Sequence, residues 1–220
     1  MPKFVSPTRI IIMAKTPTPG RVKTRLIPAL GTHGAANLAR KMLAYTTEQA
    51  LLAQLQGCRL RVELSVSPDP ASVDWKWARA NPALTLRKQA SGDLGRRMHH
   101  AASAAIANGE YAILVGTDCP AVNAELLLHA TAALERHDAV ICPTADGGYA
   151  LLGLRNAPWS LFAEIPWSTR YVADITLTRF SDQGMRVLKL PTVRDIDEPN
   201  DLLVLPERWQ REFPAVDSGP

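Results

Sequence analysis

The sequence predicts an α/β protein: a three-layer sandwich around a mostly parallel, mixed sheet. Short apolar, β-branched runs recur, as in TRIIIMAK (8–15) and YAILVGTD (111–118). They alternate with stretches of helical periodicity. The segments 138–143 and 149–154 follow each other too closely for a crossover, so at least one antiparallel element is expected.

The elements follow in order. TRIIIMAK reads as a strand buried on both faces. Leu38, Met42, Tyr45 and Leu52 recur at helical spacing and predict an amphipathic helix over about 32–56. LRVELSVS (60–67) reads as the second strand, a weaker helix follows near Trp75 and Trp77, and LTLRKQ (84–89) is a short strand. Asp93 stands at an N-cap position ahead of a helix with Leu94, Met98, Ala101 and Ala105 on one stripe. After the strand 111–118, Asn123 caps a helix to about Arg136, and DAVICP (138–143) and YALLGL (149–154) form strands. A helix near 170–182, the strand MRVLKL (185–190) and a short helix after DIDEPNDL complete the chain.

At 220 residues the default is a single domain, here 1–205, with a Pro- and charge-rich tail, 206–220, expected to pack loosely. The apolar share of 46% and charged share of 21% suit a soluble globular chain. A net charge of +4 without any long Lys/Arg block points away from nucleic acid and towards a small phosphorylated ligand. Cys58, Cys119 and Cys142 are widely spaced and odd in number, against a disulfide framework and a paired-Cys zinc site, so the cytoplasm is the expected compartment. Residues 8–14 are too short to span a membrane, and no signal peptide is evident. The oligomeric state is not legible. Trp75, Trp77, Trp159 and Trp209 are expected to pack in the core.

The first strand ends in KTPTPGRVKTR and the fourth in GTDCP. In open α/β sheets, ligands bind outside the carboxyl ends of strands at a topological switch point, so both loops should face one crevice. If the first loop is extended, Arg21, Lys23 and Arg25 share a face. With Lys15 at the strand end and Gly20 in the turn, they suit a polyphosphate. A solvated basic turn is the alternative. A phosphate loop of the Walker type is excluded, because Gly20 is the loop's single glycine.

Asp118, directly after a buried strand, is placed to hold a hard cation. In RDIDEPNDL, Asp195 and Asp197 flank Ile196 and point the same way in an extended chain. Their like charges favour a cation, and Asp201 is assigned to capping the helix that follows. Asp146, Gly147 and Gly148 form either a tight turn or a close approach to ligand. Gly92 and Asp93 mark a helix start suited to an anion.

Taken in order, KTPTPGRVKTRL, GDLGRRM, GTDCP, DGGYALLGL, IPWST and DIDEPNDL resemble a bacterial family of glycosyltransferase-A-type proteins. Its members are called selenodomain-associated or nucleotide-diphospho-sugar transferase-like proteins, and the resemblance spans about 8–204. KTRL and DIDEPNDL are more distantly similar to phospholactate guanylyltransferases. The resemblance implies a nucleotide-diphospho-sugar transferase fold with Mg²⁺ or Mn²⁺ on Asp118 and Asp197, and Lys23 and Arg25 on a triphosphate. It also implies an acceptor framed by Asp146–Tyr149 and by Trp167, Ser168 and Thr169. Two departures stand out: the first loop is proline-rich where sugar-nucleotide pyrophosphorylases are glycine-rich, and DCP offers one acid where glycosyltransferases carry two.

The leading expectation is a metal-dependent transferase that moves a nucleotidyl group from a nucleoside triphosphate to a small acceptor. Glycosyl transfer from a nucleotide sugar is the second. A non-catalytic nucleotide-binding module is the third.

Overall fold

The computed structural model describes residues 6–57 and 59–214. Seven strands form one sheet in the order β3-β2-β1-β4-β6-β5-β7. They are β1 Thr8–Lys15, β2 Leu60–Ser67, β3 Leu84–Lys88, β4 Tyr111–Val115, β5 Ala139–Pro143, β6 Tyr149–Leu154 and β7 Val187–Lys189. Pairing is parallel from β3 through β4, whereas β6 runs antiparallel to both β4 and β5. A five-residue connection explains the exception: Thr144 N–H donates to Gly148 O, closing a hairpin that no parallel crossover could replace.

The helices are α1 Ile27–Gln56, α2 Lys76–Arg79, α3 Leu94–Ala107, α4 Ala124–Ala133, α5 Val172–Asp182 and α6 Glu207–Gln210. Side chains alternate across the central strands. Ile10 and Ile12 join Leu64, Leu127 and Leu134 in the core beneath α1 and α4. Ile11 faces the other way, towards Met98 and Ala102 of α3 and Phe180 of α5. The three expected layers follow from that alternation.

Asp93 and Asn123 cap α3 and α4, their side chains accepting from the N–H groups of Arg96 and Leu126. Helix α1 carries a break at Gly31 (φ 70°, ψ 169°), so its regular part begins near the expected residue 32. The helix expected at Trp75–Trp77 is a 3-10 turn, Val73–Trp75, followed by the single-turn α2. Beyond DIDEP the chain forms the 3-10 helix Pro199–Val204.

The segment read as a loose tail is not loose up to residue 214. Trp209 and Phe213 are buried against Leu38 and Met42 of α1, and the Trp209 ring meets Tyr45 edge-on at 5.3 Å. Residues 215–220 lie outside the described part, as does Cys58. Trp75, at the end of the 3-10 turn, is buried as expected, whereas Trp77 of α2 and Trp159 are exposed. Among the described residues, no helix is long and apolar enough to cross a membrane.

Candidate functional site

The chain leaves β1 for β2 and β3 on one side and returns through β4 on the other, so the switch point lies between β1 and β4. Both of their carboxyl-end loops are therefore neighbours. Gly116 N–H donates to Ala150 O at 3.0 Å, extending the β4–β6 register by a residue. Cys119 is then buried, with its thiol pushed well up by burial and by Asp118, and it anchors the turn that presents Asp118 outward. Ile196 N–H donates to Asp118 O at 2.9 Å, and the Ile196 side chain is buried. That contact ties the two acidic loops together, and the burial of Ile196 is what the alternation in DIDEP implied.

The cationic loop departs from the extended form. Thr18 O accepts from Arg21 N–H across a turn that includes Gly20 (φ 75°), and Lys23 sits in the left-handed region (φ 47°, ψ 44°) before a 3-10 turn, Thr24–Leu26. Pro17, Pro19 and Gly20 favour turns over a strand, so the alternation that grouped Arg21, Lys23 and Arg25 does not apply. Arg21 is exposed, and Lys15 Nζ donates to Arg21 O at 3.3 Å.

The left-handed turn directs Lys23 inward. Its side chain is only 6% exposed, and Nζ lies 2.9 Å from Asp118 Oδ1 and 3.5 Å from Asp197 Oδ1. Arg25 Nη1 lies 2.8 Å from Asp197 Oδ2. Burial alone would lower the Lys23 pKa, but Asp118, Asp197 and Asp195 outweigh it and hold the ammonium above its ordinary range. The lysine read as a phosphate contact thus sits between acids read as metal ligands.

Asp201 fixes the acidic loop from behind. It accepts from the N–H groups of Asp197 and Glu198 at 3.0 and 2.7 Å, and from Arg194 Nε at 2.8 Å. The capping role expected for it is what the fold displays.

A cleft of about 360 Å³ opens beside these loops. Asp118, Asp146 and Asp195 line it with Gly148, Tyr149, Trp167, Ser168 and Thr169, so most of the residues expected to frame an acceptor meet there. Burial and the neighbouring Asp146 hold the Asp195 carboxyl above the usual carboxylate range. A smaller hollow adjoins it and is lined by Arg25, Asp146, Arg194, Asp195 and Asp197. Lys15, Gly20, Arg21, Lys23, Gly92, Asp93 and Gly147 line neither hollow.

Gly147 (φ 90°) instead permits a backbone approach: a Cβ there would lie 2.0 Å from Arg170 O. Gly95 likewise leaves room for Trp167, whose Cζ2 would lie 2.8 Å from an added Cβ. Ser168 next to it holds a positive φ of 64°, a strained backbone on the cleft wall.

Several contributors lacked a sequence signal. Met13 and Met98 line the cleft but read as core, and the Thr144 hydroxyl holds Asp146 Oδ1. Arg194 was hidden among the charges of RDIDEPNDL, although its sequence position seven before Asp201 fits a loop-to-cap contact.

Among the described residues, no group of three or more His, Cys, Asp or Glu is arranged to hold a metal, so the expected trio Asp118, Asp195 and Asp197 does not form a complete protein cage. A pair does converge. Asp118 and Asp197 both reach one ammonium, which marks a position where two carboxylate oxygens already surround positive charge. Mg²⁺ binds in this way, through one or two carboxylates with water and ligand phosphates completing the shell.

An open, mixed α/β sheet with an acidic cleft at its switch point defines a nucleotide-diphospho-sugar transferase-like fold. The chain belongs to the bacterial family DUF2064, described as uncharacterized protein conserved in bacteria, whose profile matches residues 49–169. It is similar to the structure of a candidate nucleotide-diphospho-sugar transferase from Desulfovibrio desulfuricans G20, at 29% identity and a TM-score of 0.81, over 94% of this chain and 91% of that one. It shares its fold with 4-diphosphocytidyl-2C-methyl-D-erythritol synthase from Anaerococcus prevotii DSM 20548, at 13% identity and a TM-score of 0.60, over 93% of this chain and 99% of that one. The same holds for CMP:2-keto-3-deoxy-manno-octonic acid synthetase complexed with CTP, at 12% identity and a TM-score of 0.58, over 94% of this chain and 100% of that one. No curated protein matches the sequence.

Proposed function

We propose that the chain is a nucleotidyltransferase that moves a nucleoside monophosphate from a triphosphate to a small acceptor. One observation carries the reading: Lys23 and Arg25 meet Asp118 and Asp197 in one ion-paired group beside the switch-point cleft. A triphosphate needs fixed cations and its metal needs fixed carboxylates, and both are present in one ion-paired group. Sharing a fold with cytidylyltransferases is consistent with this but does not select the base.

In this reading an acceptor oxygen forms a bond to the α-phosphorus while the bond to the α,β-bridging oxygen breaks. Pyrophosphate leaves, and the acceptor's proton passes to solvent. Asp118 and Asp197 would hold Mg²⁺, which supplies charge neutralisation of the phosphate oxygens when bound. Lys23, freed from the carboxylates, and Arg25 then face the phosphates, and positioned charges of this kind supply most of the rate. Asp146, Gly148 and Tyr149, with Trp167–Thr169, frame the acceptor.

Glycosyl transfer is the second reading, favoured by the 29% identity to the Desulfovibrio protein. Calorimetric titration with each nucleoside triphosphate and with nucleotide sugars, with and without Mg²⁺, separates the two. Mg²⁺-dependent triphosphate binding and pyrophosphate release on adding acceptor are expected. A preference for intact nucleotide sugars would replace this reading with the second, and metal-independent binding without turnover would leave a binding module.

A further inference from the structure

Charge is distributed unevenly over the acids at the strand ends. Asp118 and Asp197 are neutralised from within by Lys23 and Arg25. Asp146 and Asp195 have no such contact: among the described residues no Lys, Arg or His forms an ion pair with either, Lys23 acts on Asp195 only from beyond ion-pair distance, and no cation lines the main cleft. Arg25 and Arg194 stand in the adjoining hollow, where they are committed to Asp197 and Asp201.

Asp146 is also held in place. Its Oδ1 accepts from the Thr144 hydroxyl and from Gly148 N–H, while Oδ2 has no hydrogen-bond partner among the described residues. Facing these acids is an apolar wall of Met13, Leu94, Met98, Tyr149, Trp167 and Val172. A carboxylate or phosphate brought to this wall would meet two like charges that no cation in the cleft pairs, Lys23 being engaged by Asp118 and Asp197 behind them. An ammonium would neutralise them and could lie against an aromatic face.

We infer that the cleft takes a small acceptor with an apolar body and a protonated amine, the ammonium set against Asp146 and Asp195, and that it rejects acceptors bearing a free carboxylate or phosphate at that end. This rests on the proposed transferase reading only in treating the cleft as the acceptor's. The Oδ1 contacts orient Asp146, and the cleft volume admits a ring-sized body.

The test uses the full chain without nucleotide and three probes that share one ring: tyramine, tyrosol and 4-hydroxyphenylacetate. Titration in EDTA should show tyramine binding at least about tenfold tighter than the carboxylate, with the alcohol between them. Asp146→Asn keeps an oxygen for Thr144 and Gly148, so the chain stays folded while the gap narrows to about threefold or less. Equal or tighter binding of the carboxylate, or no binding of any probe at millimolar concentration, overturns the inference. So does a preference that vanishes when Mg²⁺ is added, since both acids would then belong to a metal. A separate triphosphate titration with Mg²⁺ reports on the transferase reading, so either can fail alone.

Discussion

Lys23 occupies the place that a divalent cation would take between Asp118 and Asp197, and the consequence is opposite for the two ligands. Lys23→Met should raise affinity for Mn²⁺ alone, measured by paramagnetic resonance, because the competing ammonium is gone. The same variant should bind Mg²⁺–triphosphate about 10- to 100-fold more weakly, the worth of one charged hydrogen bond. Its folding stability should fall by only about 1 kcal/mol, since the Asp118 side chain is 53% exposed and recovers water. The convergence of Asp118 and Asp197 was legible because one follows a buried strand at its carboxyl end and the other flanks a buried Ile. The path of Lys23 was not. Alternation is informative only in an extended chain, and Pro17, Pro19 and Gly20 bend this one.

At the scale of elements, the cleft depends on loops held by backbone contacts. Asp201 is the clearest case. Burial would raise its pKa, but the N–H groups of Glu198 and Asp197 and the Arg194 side chain outweigh it and hold it below 3.8. The folded chain therefore binds this proton less tightly than the unfolded chain. Stability from Asp201 is present above that value and lost as pH falls through the lowered pKa. Asp201→Asn should cost about 1–2 kcal/mol at neutral pH, and denaturant titrations should show the gap to wild type closing as pH drops below 3.8.

The turn at Gly147 is less forgiving. Gly147→Ala places a methyl group 2.0 Å from Arg170 O at φ 90°, so the backbone must move. A loss of more than about 2 kcal/mol is expected by urea denaturation. Strands β1, β4, β5 and β6 were legible as short apolar runs between turns. The order that brings β6 between β4 and β5 was only half legible: the hairpin follows from a short loop, but its insertion beside β4 depends on packing that no local pattern encodes.

For the whole molecule, the end of the sheet remote from the cleft is clamped by charge. Arg9 on β1 is buried between Glu63 of β2, at 3.0 Å, and Glu110 just before β4. Arg87 of β3 also reaches Glu63 at 3.0 Å, and Arg61 reaches Glu110 at 3.3 Å. Burial still raises the Glu63 pKa despite Arg9 and Arg87, so its ionisation costs stability as pH rises above 4.5. Arg9→Met would leave two buried carboxylates facing each other and should cost about 3–5 kcal/mol in thermal or denaturant unfolding. The cleft, at the opposite strand ends, should keep its ligand preferences in the surviving folded fraction. Trp209 is buried as expected, but neither this network nor the packing of Phe213 was readable in advance, because isolated charges and aromatics in polar segments carry no periodic signal.

The central claim is spatial: one cleft brings the cations of the first loop and the acids of two later loops to a single magnesium–nucleotide. The most direct measurement is a crystal structure with a non-hydrolysable nucleoside triphosphate and Mn²⁺, using the metal's anomalous signal. The account predicts the metal on Asp118 and Asp197, Lys23 turned from those carboxylates to the phosphates, and the α-phosphorus facing the cleft beside Asp146. Metal bound elsewhere, or a triphosphate seated away from Lys23 and Arg25 while their ion pairs stay intact, would contradict it.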